Sequence, residues 1–500
     1  VSSAAAEPHL ATLGAWAAGL RLADVPASTL RAARGQVAHL IAAAHGAAST
    51  QPAVRAAARA VESFAGPGRA TVLATGARLG PADAALANAA CSMGEDFDDI
   101  VWMGHTCHSA VFAPLAVAEH EGLGAEDFLL GVIIANELAG RLGASSFLGP
   151  LNGQMWTFIH LIGAAAAGAR LLGLDAEQTT HALAIALAQP NFALQPGFMV
   201  PTSKLLAAAT PTATGIQAAY FARAGMTGAP DLLEDRRGFW RRFSFLPMPG
   251  MLGGLGRLWV TETLEVKSYP GCHYFQTACA AIDAILARTG PLAGRVRAVR
   301  VETTKLGMEV TRFARGYAPM DGPIQPVNVN FDLATTCAIH LHAGRLTSAE
   351  LQPAWLAAET PALRALVART RVRHDAALTL RVVEAGRALG VGREALAQLG
   401  PRQLARLVSR YRDEYASELV SIGELASWVR ALARRALRPG PEPLPAADSA
   451  VPLEFPNRVT VELDDGRRDT EQVNLPPGAF AAPTFADTVA SKVRHEASAA

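Results

Sequence analysis

From residue 8 to about 240 the chain is a nearly unbroken series of Ala/Leu-rich segments, and that patterning restricts it to helix packed on helix. The segments Ala27–His45, Pro81–Ser92, Ala110–Glu121, Ala125–Leu142, Asn152–Leu172, Ala176–Ala188 and Thr210–Ala224 are apolar on almost every face. Short Gly, Pro, Asp or Asn breaks separate them, where a helix loses either its backbone donor or its conformational preference. Helices of this kind have few faces to offer water and must bury one another.

Near residue 257 the pattern changes. RLWVTETLEVKSYP and RVRAVRVETTK are β-branched and alternating and read as strands, with a helix at Phe275–Thr289 between them. Val327–Ala343 reads as a helix with a strand-like start. Thr370–Val383 alternates again, and FPNRVTVELDDGRRDTEQVNL reads as a hairpin around Asp464–Asp465–Gly466. The expected fold is mainly α, with a large all-helical domain over residues 1–260 and a smaller α+β domain over 261–477. Glu384–Arg438, rich in Arg, Ala and Leu, reads as a helical insertion between strands, and 438–452 as a Pro-rich connector.

Half of the 500 residues are apolar, enough for a sizeable core. The formal charge is +1 and the charges are interspersed, so no basic stripe for nucleic acid is present. The N-terminal stretch lacks a basic segment ahead of an apolar one and carries Glu7 and Arg21; it reads as a first helix, not a signal peptide. Arg170 and Asp175 interrupt the apolar run at Leu161–Leu172 before about 20 residues accumulate, so a buried helix is expected there and no membrane span. Cys91, Cys107, Cys272, Cys279 and Cys337 form no CxxC pair, which speaks against a disulfide framework and for a reducing cytoplasm. There is no G-x-S-x-G elbow and no Walker loop, and the glycines of GMLGGLGRLW do not follow a strand and open a helix. Nothing asks for NAD, ATP or flavin.

The densest polar constellation is CSMGEDFDDIVWMGHTCHSAVFAP, from Cys91 onward. It holds Glu95, Asp96, Asp98 and Asp99, then His105, His108 and Ser109. Asp96 and Asp99 are three apart, as are His105 and His108, a spacing that puts each pair on one helical face. An imidazole oriented by a carboxylate is a base that titrates near neutral pH. The bland alternative is a solvated acidic loop followed by helix-capping residues. His105, Cys107 and His108 also invite a metal reading, but no second cluster completes it, and no metal is expected. Lys204, in GFMVPTSKLLAAATPTATG, and Lys267, in LEVKSYPGCHYFQTACAAIDA, stand in apolar surroundings. Each is either a snorkelling surface residue, a cationic anchor for a substrate carboxylate, or a lysine with a lowered pKa acting as base. His160, His181, His340 and His342 lie on apolar helices and read as core or surface histidines.

In this order the segments resemble the MmgE/PrpD family, which includes 2-methylcitrate dehydratases, cis-aconitate decarboxylases and iminodisuccinate epimerases. The resemblance runs from LATLGAWAAGLRLADVPASTLRAAR through the DFDD…H…S segment, APLAVAEHEGLGAEDFLLGVIIANELAGRLG and GAAAAGARLLGLDAEQTTHALAIA. It continues through GIQAAYFARAGMTGAPDLLE and KSYPGCHYFQTACAAIDAI and leaves out roughly 384–450. It implies a homodimer without organic cofactor or metal. It also implies that about 478–500 rejoins the helical domain, that the α+β domain is a lid, and that the active site lies between them. Asp96 matches the family's active-site aspartate, His105 or His108 its histidine, and Lys204 and Lys267 its lysines.

The departures from the pattern bear on substrate. The usual H-P-S/T is HTCHS here, so the histidine register stays open between His105 and His108. Family histidines fall on Gln154, Ala207 and Gln276, a family arginine falls on Ala213, and His273 takes a position often held by arginine. Several charged anchors for a tricarboxylate are thus neutral. The expected reaction is dehydration of a less anionic β-hydroxy acid. His105 or His108 would be the acid/base, oriented by Asp96, with Lys204 and Lys267 on substrate oxygens and Ser109, Gln154, His273, Tyr269 and Gln276 lining the pocket. Decarboxylation and isomerisation or epimerisation are the near alternatives. A non-catalytic, ligand-binding relative is the alternative of another class.

Overall fold

The computed structural model describes residues 7–149, 157–199, 201–317, 322–388, 390, 394–395, 398, 400–415 and 453–498. The first half is helical: α1 His9–Gly19, α2 Ala27–Thr50, α3 Pro52–Phe64, α4 Pro81–Ser92, α5 Cys107–Glu121, α6 Ala125–Ser145, α7 Thr157–Leu171, α8 Ala176–Ala188, α9 Gln195–Met199, α10 Leu206–Arg223 and α11 Phe239–Phe243. Among the described residues, only two-residue and five-residue strands interrupt it, β1 Pro67–Thr71, β2 Arg78–Leu79 and β3 Asp99–Ile100. Small residues set how closely the helices approach. A side chain at Gly215 of α10 would meet the Leu161 carbonyl of α7 at 2.5 Å, so this crossing requires glycine.

The second half is α+β, as its alternation predicts. It contains β4 Glu265–Val266, α12 Gln276–Thr289, β5 Val296–Thr303, α13 Lys305–Tyr317, α14 Pro326–Phe331, α15 Leu333–Ala343, α16 Pro353–Ala368, β6 Thr370–His374, α17 Ala376–Ala388, α18 Pro401–Tyr415, β7 Asn457–Leu463 and β8 Arg468–Val473. The strands form a sheet of order β6-β5-β7-β8, with β5 parallel to β6 and the other pairs antiparallel. The hairpin β7–β8 turns at Gly466, whose φ of 83° needs no side chain. Chain-end helix α19, Phe485–Ser498, packs on α2.

Three sequence expectations change. Residues 257–264 are not a strand: Val260–Thr263 is a buried 3-10 turn, and its Val260 and Thr261 amides donate to Glu137 at 3.2 and 2.9 Å instead of to a ladder. The start of Val327–Ala343 is helix α14, not strand. The alternation at Thr370–Val383 is strand only to His374. Residues 416–452, the later part of the expected insertion and the connector, lie outside the described residues.

One apolar cluster runs through both halves, joining Leu40, Ala87, Val111 and Ala208 to Phe275, Ile282, Val299 and Val461. Helix α6 is long and apolar enough to cross a membrane, but 94% of the stretch is buried inside the protein, the setting of a core helix. All five cysteines are buried free thiols.

Candidate active site

The site is built by two very short strands and a tight turn. β3 pairs with β4 in the register Asp99↔Val266, and the Lys267 amide donates to the Asp98 carbonyl at 3.0 Å. Lys267 is thereby set beside Asp98. After β3, Val101 and Gly104 exchange backbone hydrogen bonds of 2.8 and 3.1 Å, with Trp102 at φ 53°. This turn reverses the chain and returns His105 to Asp98. Residues 93–98 are turn and loop, so Asp96 and Asp99 do not share a helical face. His105 precedes α5, whereas His108 lies in its first turn.

Asp98 is the hub. His105 Nδ1 lies 2.6 Å from its Oδ2 and His108 Nε2 lies 3.3 Å from the same oxygen, while Lys267 Nζ pairs with Oδ1. Burial pushes the Asp98 carboxyl up, but Lys267 and His105 outweigh it and hold the group well below the ordinary carboxylate range. For Lys267, burial lowers and Asp98 and Asp96 raise; the net direction is up. The pair is therefore ionic, and the His105 ring carries its proton on Nδ1 toward Asp98. The expectation that Asp96 orients the imidazole gives way to Asp98. Asp96 instead pairs with Lys204, and its backbone carbonyl accepts from Lys267 Nζ at 2.7 Å. Asp96 takes φ 50°, a left-handed conformation that a non-glycine residue holds only when its surroundings fix it.

Lys204 stands in the short turn before α10, 5.3 and 4.6 Å from the ring centres of Phe198 and Phe331. Burial lowers its ammonium, with Asp96 opposing. His108 is buried, its Nδ1 2.7 Å from Ser92 Oγ, and burial lowers its pKa despite Asp98. Behind it lies His160, ring centres 5.7 Å apart, with its Nδ1 3.1 Å from Ser109 Oγ. Burial, then His108, holds His160 well below the ordinary imidazole value. The core histidine of the sequence reading thus belongs to the site cluster.

The other expected lining residues divide. His273 Nε2 lies 2.7 Å from Glu265 Oε2 of β4. Burial drives that imidazole well down and that carboxyl well up, so both are neutral. Gln276 is committed to the loop after Lys267: its oxygen accepts from the Ser268 and Tyr269 amides at 2.8 and 3.1 Å, and its nitrogen donates to the Tyr269 carbonyl at 2.9 Å. The Tyr269 hydroxyl donates to Asp283 at 2.5 Å, and His340 Nε2 lies 2.7 Å from the other oxygen of that carboxylate. Gln154 lies outside the described residues.

Two site neighbours had no sequence reading. His39 of α2 places Nε2 2.9 Å from Asp99 Oδ2 and Nδ1 3.1 Å from Lys492 Nζ of α19. Gln36 and His39, three apart on an alanine helix and both buried, are a detectable polar face; Lys492 sits in an ordinary amphipathic helix and carries no such signal. Asp98, Cys107 and His108 bring possible ligand atoms within 4.8 Å of one another. They suit a metal poorly, because Asp98 already holds Lys267 and burial keeps the Cys107 thiol protonated.

Residues 11–248 match the family model of the MmgE/PrpD N-terminal domain. The chain is also 26% identical over 347 residues to the cis-aconitate decarboxylase of Aspergillus terreus, covering 65% of this chain and 70% of that protein. Residues 11–248 are thus an MmgE/PrpD N-terminal domain. A further relative, the cis-aconitate decarboxylase-like protein oryM of Aspergillus oryzae, is 26% identical over 396 residues, 72% of this chain and 78% of its own length. The MmgE/PrpD match contains Asp96, Asp98, His105, His108 and Lys204; Lys267 lies beyond it and reaches the site through β4.

Proposed function

We propose that this MmgE/PrpD protein is a lyase that dehydrates a β-hydroxy carboxylic acid, using its own acid, base and cations and no organic cofactor or metal. The observation that carries the reading is Asp98 between Lys267 and His105, 2.6 Å from the imidazole. His105 takes the proton at the carbon next to the substrate carboxylate. It is preferred to His108 because it keeps some solvent exposure, whereas His108 is sealed between Ser92 and Asp98. Lys204 and Lys267 stabilise the enediolate-like charge, the larger obstacle for so weak a carbon acid. The C–H electron pair then forms the C=C bond, the β C–O bond breaks, and the hydroxyl leaves as water with the proton from the His105 imidazolium.

Charge supports a substrate with few carboxylates. Lys204 and Lys267 are each already paired with a carboxylate, and the neutral His273–Glu265 pair adds nothing, so the cluster leaves little net positive charge. A monoanion suits that balance better than a trianion. The reading includes a cytoplasmic homodimer acting on a small molecule, and the five free thiols fit a reducing compartment. Decarboxylation is the second reading, favoured by similarity to proteins named cis-aconitate decarboxylase.

The test is incubation with hydroxy mono-, di- and tricarboxylates and cis-aconitate in deuterated water. Solvent deuterium in recovered substrate, with an alkene product, is the expected result; release of carbon dioxide selects the second reading. No exchange, alkene or carbon dioxide from any compound overturns both.

A further inference from the structure

The left-handed turn at Asp96 is held from two sides by buried ammonium groups. Lys267 Nζ donates to the Asp96 carbonyl at 2.7 Å. The next carbonyl, that of Phe97, accepts from Lys492 Nζ, which also stands 3.4 Å from the centre of the Phe97 ring. Consecutive carbonyls are thus each capped by a lysine, one directly after β4 and one from α19. Lys492 then continues through His39, 3.1 Å away, to Asp99, 2.9 Å beyond the far side of that ring. His39 and Asp99 are fully buried, and Phe97 and Lys492 are each only 4% exposed.

A buried ammonium is costly, and an apolar side chain would fill the same space without that cost. What the ammonium supplies is direction, because it reaches a backbone oxygen lying between the two carboxylates of the site. We infer that Lys492 is a positioning residue: by holding the Phe97 carbonyl and, through His39, the Asp99 carboxyl group, it fixes the turn from which Asp96 reaches Lys204 and Asp98 reaches Lys267 and His105. The inference rests on the proposed Asp98–His105 acid/base pair. It makes α19, at the far end of the sequence, a structural part of the site. The titratable groups around Lys492 are Glu496 on its own helix, Glu95 and Asp98 on the site loop, Asp99 in β3, His39 on α2 and Lys267 after β4. Burial lowers Lys492 to about 7 and raises Asp99 to about 8, and Lys492 keeps an N–H for the Phe97 carbonyl in either protonation state.

The experiment uses Lys492→Met, which keeps length and removes the donor, and Lys492→Gln, which restores an N–H. Full-length protein with nitrogen-labelled histidine is examined by NMR, with His105→Gln and His39→Gln as assignment controls. The expected result is a folded Lys492→Met protein in which the Nδ1–H signal of His105 loses its carboxylate-bonded position, with partial recovery in Lys492→Gln. On any panel compound that turns over, kcat falls roughly 100-fold with less change in KM. A folded Lys492→Met protein with lower thermal stability but the wild-type His105 signal overturns the positioning role. If Lys492→Met does not fold, His39→Gln decides, since it removes the link to Asp99 and is expected to move the same signal; an unmoved signal again refutes the inference. The NMR result requires no turnover, so failure of every panel compound refutes the proposed function and leaves the positioning question to be answered by the signal.

Discussion

His105 Nδ1 lies 2.6 Å from Asp98 Oδ2, and this contact, together with Lys267 on the other carboxylate oxygen, makes Asp98 the group that sets the imidazole's tautomer. Asp99, one residue on, faces the opposite way to His39, and burial followed by the Asp98 charge raises it to about 8. Asp98 is therefore ionised and Asp99 protonated at neutral pH. Asp98→Asn is expected to cut solvent-deuterium exchange by 10² or more, on the order of other losses of an imidazole-orienting carboxylate. Asp99→Asn, which resembles the protonated acid, is expected to cost less than about tenfold. Comparable losses from both would contradict this assignment.

Lys204 neutralises a buried carboxylate as well as offering a cation to substrate. Lys204→Met leaves Asp96 uncompensated, and the expected destabilisation is about 3–5 kcal/mol. Adding Asp96→Asn removes the stranded charge and restores most of the melting temperature without restoring turnover. Thermal denaturation of the single and double variants checks the first part, and the exchange assay checks the second.

Ser348 joins the α+β half to the site loop and to α19, and it does so between two acids. Its hydroxyl bonds Glu95 Oε2 and also lies 2.7 Å from Glu496 Oε2, while Thr50 Oγ1 lies 2.6 Å from Glu95 Oε1 and 2.8 Å from the Gly46 carbonyl. Two hydroxyls carry two protons, and four oxygen–oxygen contacts need four, so the chain of bonds closes when both acids are protonated. Burial raises both carboxyls from 4.5, Glu496 to about 7. Between those values the folded protein binds more protons than the unfolded chain, so this contribution is full below about 4.5 and is lost as pH rises through about 7. Lys492, lowered to about 7, acts in the opposite direction only above that pH. Glu496→Gln supplies an amide N–H in place of the acid proton. It is expected to flatten the fall in stability between about pH 5 and about pH 7 by on the order of 1–3 kcal/mol. Chemical denaturation at a series of pH values measures it.

Gly46 is the space that Glu496 occupies: a Cβ there would stand 1.7 Å from Glu496 Oε2. Gly46→Ala is expected to destabilise by about 1–3 kcal/mol, and by clearly less in a Glu496→Ala background, because the clash disappears with the carboxyl. Equal losses in the two backgrounds, read from melting curves, would show that the carboxyl is not what the glycine accommodates.

The sequence by itself determined the helical half. Seven Ala/Leu segments appear as helices near their expected bounds, because long Ala/Leu runs set off by Gly, Pro, Asp and Asn breaks are a local signal that the chain states directly. The hairpin at Gly466 and the α+β character of the second half were legible from period-two alternation, and the segments carrying Asp96, His105, His108, Lys204 and Lys267 from a polar cluster, from lysines in apolar surroundings and from the family resemblance. Residues 257–264 misled, because β-branched residues in a buried 3-10 turn resemble a strand until their amides are found on Glu137. Tertiary structure decided which carboxylate serves the imidazole, since all four acids lie within five residues and only the β3–β4 register and the turn at Trp102 direct them. It also decided that His39, His160 and Lys492 belong with them. Lys492 stands 395 residues from Phe97, and no local periodicity encodes a contact made by packing one helix of the chain's end against one of its beginning.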